Sequence, residues 1–298
     1  MKNTNKTYAS EQRVGYFMLA PFALFFFVFT ILPVIASVVL SFTRYDMVKV
    51  PEFIGFSNYL RMIVTDDTFG IAVTNTLKFA VITGPLGFLL SFFLAWLINE
   101  LSPKARSLLS FLFYSPSLTG GAYLVWKILF SGDSHGYINS LLLNLGIITE
   151  PVQWLKDDSY TFLICVIVQL WMSMGISFLS NLAGLQNSSP QLYEAGALDG
   201  IRNRWQELWY ITLPSMKSML LFSSVMQIQS TFSASAVMIE LTGFPSVNYS
   251  THTIVSHLTD VGTTRFEMGY AAAISVFLFL LMALFRIVVG KIINMTGR

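Results

Sequence analysis

Charge is what this chain has least of. Asp, Glu, Lys and Arg together make up 11% of its 298 residues, against about 25% in a typical soluble domain. So little charge cannot cover a folded surface for water, which excludes an ordinary soluble globular fold. Cysteine occurs once, as Cys165. It lies inside an apolar run, so no intrachain disulfide can form and the residue reads as a small core side chain. Of the three histidines, His252 and His257 are five positions apart and lack a third ligand for a metal. No basic run of five or more occurs, and a net charge of +2 makes no electrostatic case for nucleic acid. No Gly-x-x-x-x-Gly-Lys-Ser/Thr phosphate loop is present. No ionisable residue sits at mid-span, as a proton relay would need, and no Ser/His/Asp or Cys/His set points to catalysis. The chain is therefore expected to be no enzyme, with no catalytic, metal or cofactor residues of its own.

What is abundant is apolar surface: 54% hydrophobic residues, 26 Phe and a mean hydropathy of +0.62. A helix needs about 20 mostly apolar residues to cross the hydrocarbon of a bilayer. Six stretches qualify, Tyr16–Phe42, Ile71–Ile98, Leu108–Phe130, Tyr160–Ala183, Ser215–Ile239 and Gly269–Val289. The fifth is the least greasy and is placed partly by elimination. The first is too long for the apolar region of a signal peptide, about 7–15 residues, and no small-residue cleavage site closes it. Pro21 and Pro33 should bend it. With the N-terminus inside, Lys2, Lys6, Arg13, Lys104, Arg106, Arg202, Arg204, Lys217, Arg286, Lys291 and Arg298 lie on the cytoplasmic side. The outer side then keeps only Arg44, Lys49, Arg61, Lys156 and Arg265. The positive-inside rule thus places both termini in the cytoplasm. Lys78 and Lys127 fall near outer span ends, where they reach the headgroups. The expected fold is an all-α, polytopic membrane protein of six transmembrane helices, with a tail over residues 1–15 and a transmembrane domain over 16–298. The longest cytoplasmic connection is 184–214.

That connection holds a capped helix. Ser189 suits an N-cap and Pro190 the first helical position, while Gly200 suits the stop. The spacing predicts a helix from Pro190 to Asp199. It carries small residues (Ala195, Gly196, Ala197) that let another surface approach, apolar anchors (Leu192, Tyr193, Leu198), and two acids. Glu194 near the first turn favours the helix dipole; Asp199 at the other end opposes it. A helix lying on lipid would usually carry Lys and Arg on its polar face, and this one has none. Insertion into a protein groove fits the composition better.

At these residues the chain resembles the permease subunits of binding-protein-dependent ABC importers. That family carries a cytoplasmic signature of the form Glu-Ala-Ala-x-x-Asp-Gly, followed after a spacer by Ile-x-Leu-Pro. Glu194, Ala195, Asp199, Gly200, Ile211, Leu213 and Pro214 occupy its positions. Gly196 stands where Ala is usual, Ile201 where Ala often follows, and the spacer is one residue longer than common. Shorter matches follow in order along the chain: Tyr16–Pro21, Leu32-Pro33, Ser41–Thr43, Gly55–Tyr59, Asn75–Leu77, Pro116, Trp126–Phe130, Gly136–Asn139 and Phe266–Ala271. Together they are similar to the carbohydrate-importing, maltose-type branch, and to the first permease of its usual pair.

The resemblance implies a type I importer fold in a bacterial cell membrane. It also implies a second permease subunit as partner, an extracellular sugar-binding protein (lipid-anchored or periplasmic), and a cytoplasmic dimer of ATP-binding subunits that carries ATP and Mg. The ATPase would grip Glu194, Ala195, Gly196, Ala197, Leu198, Asp199 and Gly200, with Leu213 and Pro214 following. The cargo would be a sugar or oligosaccharide, with glycerol phosphate or another small polar solute as the alternative and an ATP-independent carrier as a more distant one. For a substrate path, Gln169, Trp171 and Ser173 sit mid-span in the fourth stretch. In the fifth, Ser223, Gln227 and Ser230 or Thr231 form one polar stripe, with Gln229 and Ser233 beside it. Amides, hydroxyls and an aromatic platform suit a neutral sugar; hydrogen bonding between helices is the other reading of the same residues. Asp133, Glu150, Asp157 and Asp158 are expected in solvated loops that face the binding protein.

Overall fold

The computed structural model describes residues 4–119 and 121–296. Lys2 and Arg298, used in the charge argument, lie outside them. The helices in chain order are α1 (Thr4–Phe26), α2 (Leu32–Leu40), α3 (Ser57–Val64), α4 (Asp67–Asn99), α5 (Pro103–Leu118), α6 (Ala122–Leu129), α7 (Tyr137–Asn144) and α8 (Asp158–Met172). They continue with α9 (Ile176–Gln186), α10 (Pro190–Leu198), α11 (Arg204–Glu207), α12 (Leu213–Ser215), α13 (Lys217–Phe232), α14 (Ser235–Thr242), α15 (Ile254–Thr259) and α16 (Met268–Thr296). Two short strands, β1 (Thr43–Arg44) and β2 (Glu52–Phe53), pair antiparallel.

The chain forms two compact units. The first comprises Met1–Thr65 and Leu258–Phe277. In it, α1 passes into α2 through a π-turn at Phe27–Ile31, just ahead of Pro33, whose missing N–H loosens the helical ladder. The apolar stretch Gly15–Leu40 has no buried residue within the chain. Beyond it, Asn58 Nδ2 donates to the carbonyls of Ser41 and Thr43, both at 2.9 Å. Arg61 pairs with Glu267 and lies 4.2 Å above the ring of Tyr270. Gly269 donates to Tyr45 O at 3.1 Å, and a methyl there would strike the Thr43 carbonyl.

The second unit comprises Asp66–His257 and Leu278–Arg298. Its axis is α4, 33 residues long and so about 50 Å, capped by Asp66, which accepts from Phe69 N at 2.9 Å. The core lies in two clusters along it. In one, Phe79 of α4 packs with Ile164, Cys165 and Val168 of α8 and Val237, Met238 and Leu241 of α14. In the other, Phe92, Ala95 and Ile98 pack with Phe178, Leu182 and Leu185 of α9 and with Leu208, Met216 and Leu220. Among the described helices that build them, α4 runs unbroken past both.

Among the described residues, four helical stretches are long and apolar enough to cross a membrane: Gly15–Leu40, Asp67–Asn99, Asp158–Gln186 and Met268–Met295. The expected stretch Leu108–Phe130 is not one helix, because α5 and α6 meet at 85°. Pro116 in the last turn of α5 removes a helical donor, and Thr119 is extended. Tyr160–Ala183 lies within the single stretch Asp158–Gln186 as expected, with a short irregular turn at Ser173–Gly175 between α8 and α9. Ser215–Ile239 departs furthest. Its helix α13 has 16 residues, about 24 Å, and stops at Ser233 and Ala234 before α14. Gln227, Gln229, Ser230, Thr231 and Ser233 leave it too polar to form an apolar run of bilayer length.

Candidate functional site

Helix α10 spans Pro190–Leu198, with Ser189 and Asp199 at its caps. Pro190 takes the first position as expected. Ser189 takes the N-cap position as expected, although its hydroxyl makes no capping hydrogen bond. Glu194 lies beyond the first turn, which holds no acid, so its expected dipole interaction is small. The C-terminal end is a complete Schellman motif. Gly200 takes φ +92°, its N–H donates to Ala197 O at 3.4 Å, and Ile201 N donates to Gly196 O at 3.0 Å.

The two faces of α10 have different employment. Gly196 is buried, and a methyl added there would collide with Cδ1 of Ile211 and lie 3.1 Å from Cδ1 of Ile201. The small residue therefore admits the protein's own loop, which corrects the reading that Gly196 waits for an outside surface. Tyr193 adds a second tie, its hydroxyl 3.1 Å from Thr212 Oγ1. The other face is open. Glu194, Ala195, Ala197, Asp199 and Gly200 are exposed, and Leu198 is 90% exposed. Neither acidic side chain pairs with a described residue.

Ile211 and Thr212, which receive α10, belong to a π-turn over Leu208–Thr212. Leu213 N donates to Leu208 O, and Thr212 Oγ1 to Glu207 O at 3.2 Å, both five residues back. A π-turn is an α-helix with one residue inserted. Here it holds Ile211 against Gly196. Leu213 is half-buried and Pro214 exposed.

Ahead of this turn, α11 is capped by Asn203, which accepts from Gln206 N at 2.8 Å. Arg204 bridges Glu100 (2.6 Å) and Glu207 (2.9 Å). The hydrogen bond that Arg204 donates to Glu207, opposed by some desolvation and helped by the charge of Glu100, raises the guanidinium pKa further. Trp205 packs on Trp96 and Phe93 of α4, with ring centroids 5.6 and 6.4 Å away. These contacts frame a cavity of about 640 Å³ edged by Trp96, Glu100, Arg106, Tyr193, Glu194 and Arg204.

Of the candidate path residues, Ser223, Gln227 and Thr231 are all buried. Ser223 and Ser177 exchange hydroxyl-to-carbonyl bonds at 3.3 and 3.1 Å, tying α13 to α9. Gln227 Nε2 donates to Thr83 O at 3.3 Å, and a side chain at Gly87 would collide with it. Gln227 Oε1 and Thr231 Oγ1 have no hydrogen-bond partner among the described residues, although their residues line a largely apolar cavity of about 400 Å³ with Phe88, Phe232 and Phe285. Ser173 donates within its own helix to Leu170 O, 2.7 Å. The buried stripe therefore serves mainly to join helices. The neighbouring one differs: Gln229 and Ser233 are exposed, as is Ser230, the alternative to Thr231 in the first stripe. Gln169 is buried but donates to Ser230 Oγ at 3.2 Å, and half-buried Trp171 meets Trp126 edge-on at 5.5 Å.

Sequence reasoning missed one cluster. His252 and His257, considered above only as a metal pair, are buried at 3% and 1% exposure. His257 Nε2 lies 3.0 Å from Asp66 Oδ2, and its Nδ1 3.4 Å from His252 Nε2. No local pattern joins Asp66 to His257, and only the fold does. The short matched segments are better placed than expected. Asn75 Nδ2 donates to Tyr249 O and His252 O (2.9 and 3.1 Å), and Thr76 Oγ1 accepts from Ile254 N at 2.9 Å. Asn139, fully buried, donates to the carbonyls of Ser131, Asp133 and Val152 and accepts from Val152 N and Trp154 Nε1. Of the acids expected to be solvated, Asp157 caps α8 through Ser159 N, and Asp158 accepts from Asn248 at 2.7 Å.

Residues 84–294 match a family described as binding-protein-dependent transport system inner membrane component. The arabinooligosaccharides transport system permease protein AraP of Bacillus subtilis is 30% identical, over 95% of this chain and 89% of its own. The lactose transport system permease protein LacF of Rhizobium radiobacter is 30% identical over 90% of each chain. The trehalose/maltose transport system permease protein MalF of Thermococcus litoralis is 29% identical over 97% of this chain and 96% of its own. Among solved structures, a bacterial ABC transporter involved in import of the acidic polysaccharide alginate aligns at TM-score 0.78 and 21% identity, over 98% of this chain and 100% of that one. The bacterial alginate transporter in complex with an alginate pentasaccharide-bound periplasmic protein aligns at 0.75 and 22% identity, over 97% and 95%. At those identities the likeness is one of fold.

Proposed function

The chain belongs to the family of binding-protein-dependent transport system inner membrane components, and from that premise we propose that it is the permease subunit of an ATP-driven importer of a sugar or oligosaccharide. As a member of that family it is a multi-pass protein of the bacterial plasma membrane and a transport component, not an enzyme. It works with a binding protein that delivers the cargo. A neutral sugar is favoured because, among the described residues, no Lys, Arg, Asp or Glu is fully buried, so the interior offers amides and hydroxyls. The named cargoes of AraP, LacF and MalF are of the same class.

The observation that carries the energy-coupling half of the reading is the open face of α10. An exposed leucine beside two unpaired acids, on a helix otherwise anchored by Gly196 and Tyr193, suits a groove in another protein. We assign that groove to a cytoplasmic dimer of ATP-binding subunits, which supplies the ATP and Mg chemistry this chain lacks. In the assembly α10 and the 184–214 loop face the cytoplasm, both termini are cytoplasmic, and the broken helices α5–α6 and α13–α14 complete six spans. A second permease completes the pathway. The cargo passes the exposed stripe of Gln229, Ser230 and Ser233, with Gln169 and Trp171 behind it, while Ser223, Gln227 and Thr231 hold the wall.

Affinity purification of the tagged chain from its native membrane tests this. An ATP-binding protein and a second permease should co-purify, and liposomes holding the complex and its binding protein should take up labelled oligosaccharide only with ATP inside. Uptake by the chain alone, without nucleotide, would overturn the reading.

A further inference from the structure

We propose that α4 moves as one body with the 184–214 loop, driven through a clasp made by Arg204 and Trp205 on its end. The inference rests on the coupling role assigned to α10. The chain joins this loop to α9 and α13 only, so α4 has no covalent reason to follow it. Yet α11, four residues long, sends two of its side chains to the end of α4. Arg204 reaches Glu100 at 2.6 Å, Trp205 packs on Trp96 and Phe93, and buried Leu208 joins Phe92, Ala95 and Ile98 in one core cluster. The clasp is also tied to α10, through Gly196 against Ile211 and Tyr193 on Thr212 at 3.1 Å. A push on α10 therefore reaches α11 through packed atoms and a π-turn, without a flexible link.

What α4 would then move is set by its length. Among the described helices that build the two core clusters, it passes both unbroken, while α8–α9 and α13–α14 are each interrupted between them. Midway along it, Thr83 O receives Gln227 Nε2 at 3.3 Å, and Gly87 lets the Gln227 amide and the Ser173 hydroxyl sit against the backbone. Tilting α4 thus shifts the wall that backs the exposed Gln229–Ser233 stripe. Arg204, Trp205, Trp96 and Glu100 are positioning residues. They touch neither cargo nor nucleotide, and they set which helices a stroke of the ATPase carries along.

The test uses the assembled transporter in liposomes, with Glu100→Cys and Arg204→Cys introduced together. Cys165 is buried, so a short bifunctional maleimide addresses the new pair. Joining loop and helix should leave uptake per ATP hydrolysed within about twofold of the unlinked complex, because a rigid body loses no motion when stapled. A linked complex that keeps its ATPase subunit but ceases uptake, with a singly modified control still active, overturns the proposal. In a second arm, Glu100→Arg should lower uptake per ATP about threefold, the size an exposed ion pair carries, and Glu100→Arg with Arg204→Glu should recover it. An unchanged ratio in Glu100→Arg, or no recovery in the double variant, also overturns it. Failure of any ATP-binding subunit to co-purify with the unmodified chain strikes at the coupling role of α10, and is thereby distinguished from failure of the clasp.

Discussion

Two connections in the second unit, 131–157 and 184–214, use their polar residues in opposite ways. The first closes on itself. Asn139 spends both its donors and its acceptor on five bonds to the surrounding loop, Gln153 Nε2 bonds Gly132 O at 2.8 Å, and Asp133 accepts from the N–H groups of His135 and Gly136. The second turns one face inward and leaves the other unused. Gly196, Tyr193 and Ile211 anchor it, while Leu198, Glu194 and Asp199 are exposed and neither acid pairs with a described residue. A loop with its polar groups satisfied is built to keep a shape. A loop anchored on one face and open on the other is built to hand that shape to a partner. The contrast predicts where stability and function separate.

The largest effect should come from breaking the closed loop. Asn139→Leu keeps the volume but strands two half-buried donors, Val152 N–H and the Trp154 indole, at up to roughly 1–3 kcal/mol each. A loss of about 3 kcal/mol is expected, seen as a fall in the thermal midpoint of the detergent-purified chain and a lower yield of inserted protein. An unchanged midpoint would mean that water replaces the asparagine and that the loop is less closed than its bonds suggest.

The open face should behave the other way. Leu198→Glu removes no contact within the chain, so stability should stay within about 0.5 kcal/mol. If a groove buries this side chain, its loss removes about 1.5–3 kcal/mol of association, or roughly tenfold to a hundredfold in affinity. Quantitative pull-down of the ATP-binding subunit and ATP-driven uptake should both fall, with the midpoint unmoved. Full retention of the ATPase in this variant would remove α10 from the docking site.

Gly196→Val sharpens the line between the two faces. The new side chain must displace Ile211 and Ile201, and overpacking of this kind costs about 1–3 kcal/mol. Ile211→Ala opens space, so the double variant should be more stable than the sum of the two single losses. Simple additivity of the midpoints would show that position 196 faces outward after all.

How much of this was legible beforehand follows from the range of each cause. The limits of α10 were readable because Pro190 and Gly200 act on their own backbone, at φ and at the missing or strained Cβ. The partner of Gly196 was not, since Ile211 lies fifteen residues on and reaches it across a π-turn that no residue pattern announces. Hydropathy located the apolar stretches but not their interruptions at Ser173–Gly175 and Ser233–Ala234, because average greasiness carries no record of where a helix bends. The short matches around Asn58, Asn75 and Asn139 read as fragments. Each proves to be a side-chain amide holding carbonyls brought from a distance, a task visible only when both ends are in place. The polar stripe of α13 was found at the right spacing, but periodicity gives a face without saying what it faces.

That last ambiguity yields the smallest expected effect. Gln227 donates one long bond to Thr83 O, a carbonyl within α4, and buries its own Oε1 with no hydrogen-bond partner among the described residues, beside a largely apolar cavity. Gln227→Met, similar in length and unbranched, gives up that weak bond and also removes the stranded acceptor, whose burial costs about 1–3 kcal/mol. The two terms oppose, so the midpoint should move by no more than about 0.5 kcal/mol and could rise. Since the residue backs the wall without lining the path, the KM for uptake should stay unchanged, whereas Gln229→Leu on the exposed stripe should raise it. A higher KM in Gln227→Met alone would reverse the assignment of the two stripes and bring the buried one into contact with the cargo at some stage of the cycle.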